Sequence, residues 1–293
     1  MIKSPTAKSK IFFLISIVLI LVSIVSLCVR GLNFGIDFKG GTTIQFDLDK
    51  TKFSSDVEKT IRDIVKDVAK TNDITVQKTG ENGVSVKTIE LTNEASDKII
   101  EAVKKEYKLE QKHVLANEKV SGSVSGRLIA DSLKAIALAI VLMLLYITWR
   151  FDFRSGTSAV LALAHDVIIM LGFYSIFQFT VNTSFIAAIL TIVGYSINAT
   201  IIIFDRVREN VRFAKKNTTA NDIADNAIRS SYFRAINSSI TTLLTISVLY
   251  VMGVDSIKEF ALPIIVGIVA GTYSSLFIAA PFWAWWKNTE KKK

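Results

Sequence analysis

The 293-residue sequence has a single cysteine, Cys28, so no disulfide can close within the chain and no cysteine-built metal cluster is possible. It contains no Walker-type glycine-rich nucleotide loop, no serine-histidine triad and no His-Glu-x-x-His pair. Neither a catalytic site nor a cofactor or metal is therefore expected. Positive charge is also scarce in particular places. The segments "QFTVN" and "GVDSIKEF", which separate apolar runs, carry Lys258 as their lone cation.

What the chain has in quantity is apolar sequence: half of its residues are hydrophobic and the mean hydropathy is +0.40. Six apolar runs stand at 11–29, 129–149, 157–179, 184–204, 235–253 and 260–284. Each is long enough to cross about 30 Å of hydrocarbon at about 1.5 Å per helical residue. The first follows Lys3, Lys8 and Lys10 but is too long for a signal-peptide core, and bulky Leu27 before Cys28 argues against lipoprotein cleavage, so it is read as an anchor. Arg150, Arg154, Arg206, Arg208, Arg212, Lys215, Lys216, Arg229, Arg234, Lys287 and the tail Lys291 to Lys293 fall on the same side as the N-terminal lysines. Because Lys and Arg favour the cytoplasmic side, a multi-pass protein of the cytoplasmic (inner) membrane with both termini inside is expected. The net charge of +9 then belongs mainly to cytoplasmic faces, which fits contact with membrane lipid and does not call for nucleic acid.

Between the first two spans lies a polar segment, 31–127, with sixteen Lys plus Arg against sixteen Asp plus Glu. Its pattern predicts strand 42–48, helix 54–70, strands 73–79 and 84–91 joined by the turn "GENG", helix 93–107 with Thr92 as its cap, and an extended run at 112–124. The order βαββαβ is that of a ferredoxin-like α+β module, a fold that hosts many functions. The expected organisation is thus 1–30, N-terminus and first span; 31–127, extracytoplasmic domain; and 128–293, five further spans. Within the last, 205–233 reads as a basic, amphipathic and partly helical cytoplasmic loop in which Asn221 precedes Asp222 and Asp225 in cap-like fashion.

The spans are not uniformly apolar. In "LALAHDVIIMLGF" His165 and Asp166 stand side by side. A charge at the bilayer centre costs about 2.5–3.5 kcal/mol on insertion scales, so both should face protein or water. They suit a hydrogen-bond hub joining spans three and two, with Arg150 or Lys134 as counter-charge, or a protonatable station. Span four carries Gly194, Ser196, Asn198, Ala199 and Thr200, span five Arg234, Asn237, Ser238, Ser239, Thr241 and Thr242, and span six "GIVAGTYSS". Small and hydroxylated residues let helices approach closely. Three such spans imply a polar path or a polar seam with another membrane protein, and a partner is expected.

The motifs "NFGIDFKGGT" (33–42), "RFDFRSG", "HDVI", "GYSIN.T....FDRVREN" and "R..NSS.TT" follow one another as in the SecF family of the bacterial Sec protein-export machinery, within the resistance-nodulation-division superfamily, and the sequence resembles that family over essentially its whole length. The resemblance implies a six-span half of a twelve-span assembly completed by SecD, working at the SecYEG channel and using the proton-motive force to draw unfolded polypeptide outward. One proton crossing 100 mV supplies about 2.3 kcal/mol, which shifts a two-state equilibrium roughly fiftyfold. A proton-coupled exporter of small molecules or lipids, from the same superfamily, is the alternative. Gly35, Asp37, Lys39, Gly40 and Gly41 then form a hinge between membrane and domain, with the glycines permitting positive φ. Arg234 matches the family's functional arginine. Many members read Asn-Asp-Thr where this chain has Asn198, Ala199 and Thr200, and an alanine carries no proton. Either SecD supplies the carboxylate that Arg234 pairs with, or Asp166 shares the task, or coupling differs, with sodium in place of protons also open. Asp205, beside Arg206, reads as a helix-terminus ion-pair anchor.

Overall fold

The computed structural model describes residues 5–49, 51–80, 82–215 and 217–290, without the side chains of 255, 256 and 290. Lys3, Glu81 of the expected turn, Lys216 and Lys291 to Lys293 lie outside the described residues. The chain divides into two compact units, Phe34–Ser132 and Met1–Asn33 with Leu133–Lys293.

In the Phe34–Ser132 unit, a short strand β1 (Asn33–Phe34) leads to the one-turn helix α2 (Ile36–Lys39), the first helix of the chain being α1 (Ser9–Arg30). Then come β2 (Gly41–Asp47), α3 (Ser55–Ala69), β3 (Ile74–Thr79), β4 (Gly83–Thr88), α4 (Asn93–Tyr107) and β5 (Val114–Val120). The four longer strands form an antiparallel sheet in the order β3-β4-β2-β5, with Thr42 opposite Thr88 and Phe46 opposite Val84. Helix α3 begins where the Ser54 hydroxyl accepts the Val57 N–H, and it buries Val57, Ile61 and Val65, a stripe at four-residue spacing. Helix α4 is capped by Thr92, as its sequence predicts, and buries Ile99, Ile100 and Val103. These side chains close over Ile44, Phe46, Val84 and Val86 in one core.

Gly40 and Gly41 have φ of +75° and +138°, whereas Gly35, expected to need the same freedom, sits at φ −72° as the residue before α2. A side chain at Gly41 would also collide with the Thr88 carbonyl across the sheet. The extended run expected at 112–124 ends earlier, at Val120. The Ser121 carbonyl accepts the N–H groups of Val124 and Ser125, both at 3.0 Å, and this starts helix α5 (Gly122–Arg150).

The other unit contains α6 (Phe153–Phe177), the two-residue strand β6 (Thr180–Val181), α7 (Thr183–Arg212), α8 (Ala220–Met252), α9 (Asp255–Ser274), a π-turn (Ser275–Ala279) and α10 (Ala280–Glu290). Among the described residues, six helical stretches are long and apolar enough to cross a membrane: α1, α5, α6, α7, α8 and the run Ile257–Thr289. The π-turn precedes Pro281, which lacks the N–H that would close the preceding turn. Most of 205–233 is helical. Helix α7 runs on to Arg212, with Arg206 and Glu209 paired along it, and α8 begins at a reciprocal cap. There the Thr219 hydroxyl accepts the Asp222 N–H and the Asp222 carboxylate accepts the Thr219 N–H. The cap is therefore Thr219, not Asn221, and only 213–219 join the helices.

Candidate functional site

The site is assembled by close packing of small residues. On α9, Gly267 and Gly271 lie one turn apart and face Ile192 and Ser196, one turn apart on α7, so closely that a Cβ at Gly271 would stand 3.0 Å from the Ser196 side chain. That approach brings Ser274, three residues further along α9, to α6. Asp166 is completely buried, and its carboxylate accepts three hydrogen bonds: from Ser196 Oγ at 2.6 Å and Ser274 Oγ at 2.9 Å on Oδ2, and from His165 Nδ1 at 3.0 Å on Oδ1. The buried His165 Nε2 has no hydrogen-bond partner among the described residues. The imidazole stacks on Tyr273, whose ring centroid is 6.0 Å away. Tyr273 in turn donates to the Phe12 carbonyl and accepts from Ser16, so α1 joins the network. Thr200 Oγ1 and Ser275 Oγ bond at 2.8 Å one turn further along α7.

Asp166 thus ties span three to spans four and six, not to span two, and neither Arg150 nor Lys134 contacts it. Arg150 pairs instead with Asp205 at 3.3 Å, and its guanidinium carbon lies 5.0 Å from the Phe151 ring centroid. Asp205 sits inside α7 and not at a helix end, and Arg206 turns to Glu209, since neighbours on a helix point about 100° apart. Ser274, Ser275 and Tyr273 are members of the cluster that the sequence marked only as a close-packing strip.

The other polar residues point elsewhere. Asn198 and Arg234 are exposed, while Ala199, between Asn198 and Thr200, is buried at 8 % exposure. Asn198 and Ala199 line a shallow crevice with Tyr195, Ile202, Ala235, Ser238 and Ser239, where the Tyr195 hydroxyl donates to the Ser238 carbonyl and ties α7 to α8. Arg234 makes no hydrogen bond or ion pair among the described residues. The structure therefore separates the candidate residues into an inner cluster, His165, Asp166, Ser196 and Thr200, and an outer pair, Asn198 and Arg234. Gly35, Asp37, Lys39, Gly40 and Gly41 belong to the other unit.

The burial of the Asp166 carboxyl is offset by these three hydrogen bonds. Gain or loss of a proton there would force a serine hydroxyl or the imidazole to turn. No grouping of three or more His, Cys, Asp or Glu able to hold a metal occurs among the described residues.

Residues 99–289 match the protein export membrane protein SecD/SecF C-terminal family, and residues 25–52 match the SecD/SecF GG motif. The chain belongs to the SecD/SecF family. Among its relatives, SecF of Sebaldella termitidis is 38 % identical over 92 % of this chain and 87 % of that protein. SecDF of Bacillus subtilis is 34 % identical over 98 % of this chain but only 38 % of its own length. The crystal structure of SecDF from Thermus thermophilus, described as a translocon-associated membrane protein, superposes with a TM-score of 0.86 at 30 % identity, covering 97 % of this chain and 38 % of that one. The chain therefore spans well under half of the SecDF proteins it resembles, and nearly all of a SecF. Membership of the SecD/SecF family, with six helices of spanning length, makes it a multi-pass membrane protein. The GG motif of the family coincides with the Gly40–Gly41 turn, whose backbone no residue with a side chain would adopt at ease.

Proposed function

We propose that this chain is the SecF half of a SecD–SecF accessory unit of the Sec translocase, set in the cytoplasmic membrane with both termini inside. In this reading it acts beside the SecYEG channel and uses the proton-motive force to help draw unfolded polypeptide outward. The domain between α1 and α5, read as ferredoxin-like from its strand order, is the part that meets that polypeptide, and the Gly35 to Gly41 segment is its hinge. The observation that carries the proposal is Arg234. A guanidinium exposed on a membrane helix, with no hydrogen bond or ion pair among the described residues, calls for an acidic neighbour from another protein. Ala199 supports the same division of labour, since the carboxylate absent here must come from the partner if Arg234 is to have one.

Arg234→Ala is expected to abolish support of preprotein secretion in cells depleted of the native protein while leaving co-purification with the partner intact. Secretion at the unsubstituted rate would make Arg234 a topological charge only. Unchanged secretion on depletion, with accumulation of a small solute, would assign the chain to export of that solute.

A further inference from the structure

A cavity of about 230 Å³ between the start of α6, the last turns of α7 and α10 plays no part in the function proposed above. Its floor is apolar and closed, with Phe204, Val207 and Trp283 all buried beside Phe151. Its rim is cationic: Arg208, Arg212 and Lys287 stand against one carboxylate, Asp152. That carboxylate is already engaged as the cap of α6, where it accepts the N–H and hydroxyl of Ser155. Arg208 is steadied by its hydrogen bond to the Arg150 carbonyl at 3.2 Å, and the Lys287 ammonium lies 4.8 Å from the Trp283 ring centroid. Trp283 is 2 % exposed, yet its indole N–H has no acceptor among the described residues. That nitrogen is closed off from the surface, so the case for an anionic oxygen in the cavity rests on the three cations around one engaged carboxylate.

The neighbouring surface says where such an oxygen comes from. Trp149, Phe153, Phe213 and Trp285 are exposed at the ends of α5, α6, α7 and on α10, all adjoining the cavity-lining segments. Aromatic side chains collected this way mark headgroup depth in a bilayer, and basic pockets between membrane helices on the cytoplasmic side hold lipid headgroups. The volume falls below the ~300–1,000 Å³ of pockets for drug-sized ligands. It suits a headgroup and excludes a whole lipid. We propose that this cavity binds the phosphodiester of an anionic phospholipid, with its oxygens on Arg208, Arg212 and Lys287 and its acyl chains outside along the aromatic rim.

The test uses the full chain in its native complex, titrated in mild detergent with phosphatidylglycerol or phosphatidylcholine while bound lipid is counted by native mass spectrometry. Phosphatidylglycerol should be retained in preference to phosphatidylcholine. The double variant Arg208→Gln with Arg212→Gln should weaken its binding by roughly tenfold or more, as each cation near a membrane surface is worth about fivefold. Arg229→Gln, a basic residue outside the cavity, should leave binding unchanged. Should the double variant fail to assemble, Lys287→Gln alone must weaken phosphatidylglycerol several-fold. Equal retention of the two lipids, or an equal loss with Arg229→Gln, would overturn the proposal. So would displacement of phosphatidylglycerol by millimolar inorganic phosphate, which would assign the cavity to the soluble ion.

Discussion

Asp166 bonds to three groups contributed by α6, α7 and α9; without its carboxyl the His165 and Ser196 side chains lose their partner, while Ser274 keeps the Gly271 carbonyl at 3.2 Å. Each buried donor so stranded costs about 1–3 kcal/mol. Asp166→Ala is therefore expected to destabilise the helix bundle by several kcal/mol, seen as a lower thermal midpoint of the purified protein, whereas Ser274→Ala, which removes one donor and leaves the other two, should cost about 1 kcal/mol. Equal midpoints for Asp166→Ala and the unsubstituted protein would show that the cluster bears no stability. The inward orientation of His165 and Asp166 was legible in the sequence because hydrocarbon penalises charge. Their partners were not, because a buried carboxylate suggests a cation by Coulomb's law, while hydroxyl donors satisfy it equally well and leave no mark in charge patterning. Ser274 stands 108 positions away from Asp166, and only the packing of α9 on α7 brings it near.

That packing is itself a relation between two four-residue spacings, Gly267 to Gly271 on one helix and Ile192 to Ser196 on the other. Gly271→Val places new methyl groups where a Cβ already meets the Ser196 side chain at 3.0 Å and Asp166 Oδ2 at 3.4 Å. Overpacking of this kind costs about 1–3 kcal/mol. Gly194→Ala, whose Cβ would meet nothing within 4 Å, should be neutral or slightly stabilising in the same unfolding measurement. A greater loss at Gly194 than at Gly271 would mean that α7 and α9 are packed differently. Spans and soluble elements were legible because periodicity and hydropathy report them directly, and Thr92 announced its helix by cap chemistry. The helical character of 205–233 was legible in its amphipathic pattern, but the place where α8 begins was not, because it is set by the local reciprocal bonding of Thr219 with Asp222 and not by Asn221.

Taken whole, the protein buries one set of intramembrane polar residues inside its own bundle and leaves another, Asn198 and Arg234, on the outside. The Asp166 carboxyl of the inner set finds three hydrogen-bond partners within the bundle, whereas the Arg234 side chain finds none among the described residues. The proposed partner for Arg234 is in keeping with a family whose members include both separate SecF chains and longer SecDF chains. The most direct measurement is photocrosslinking in native membranes from residues introduced at Asn198 and Arg234, with the captured species identified by mass spectrometry. A second multi-pass protein with an intramembrane aspartate should dominate the products at both positions. Adducts to phospholipid alone, from a chain that still supports secretion by itself, would contradict the account.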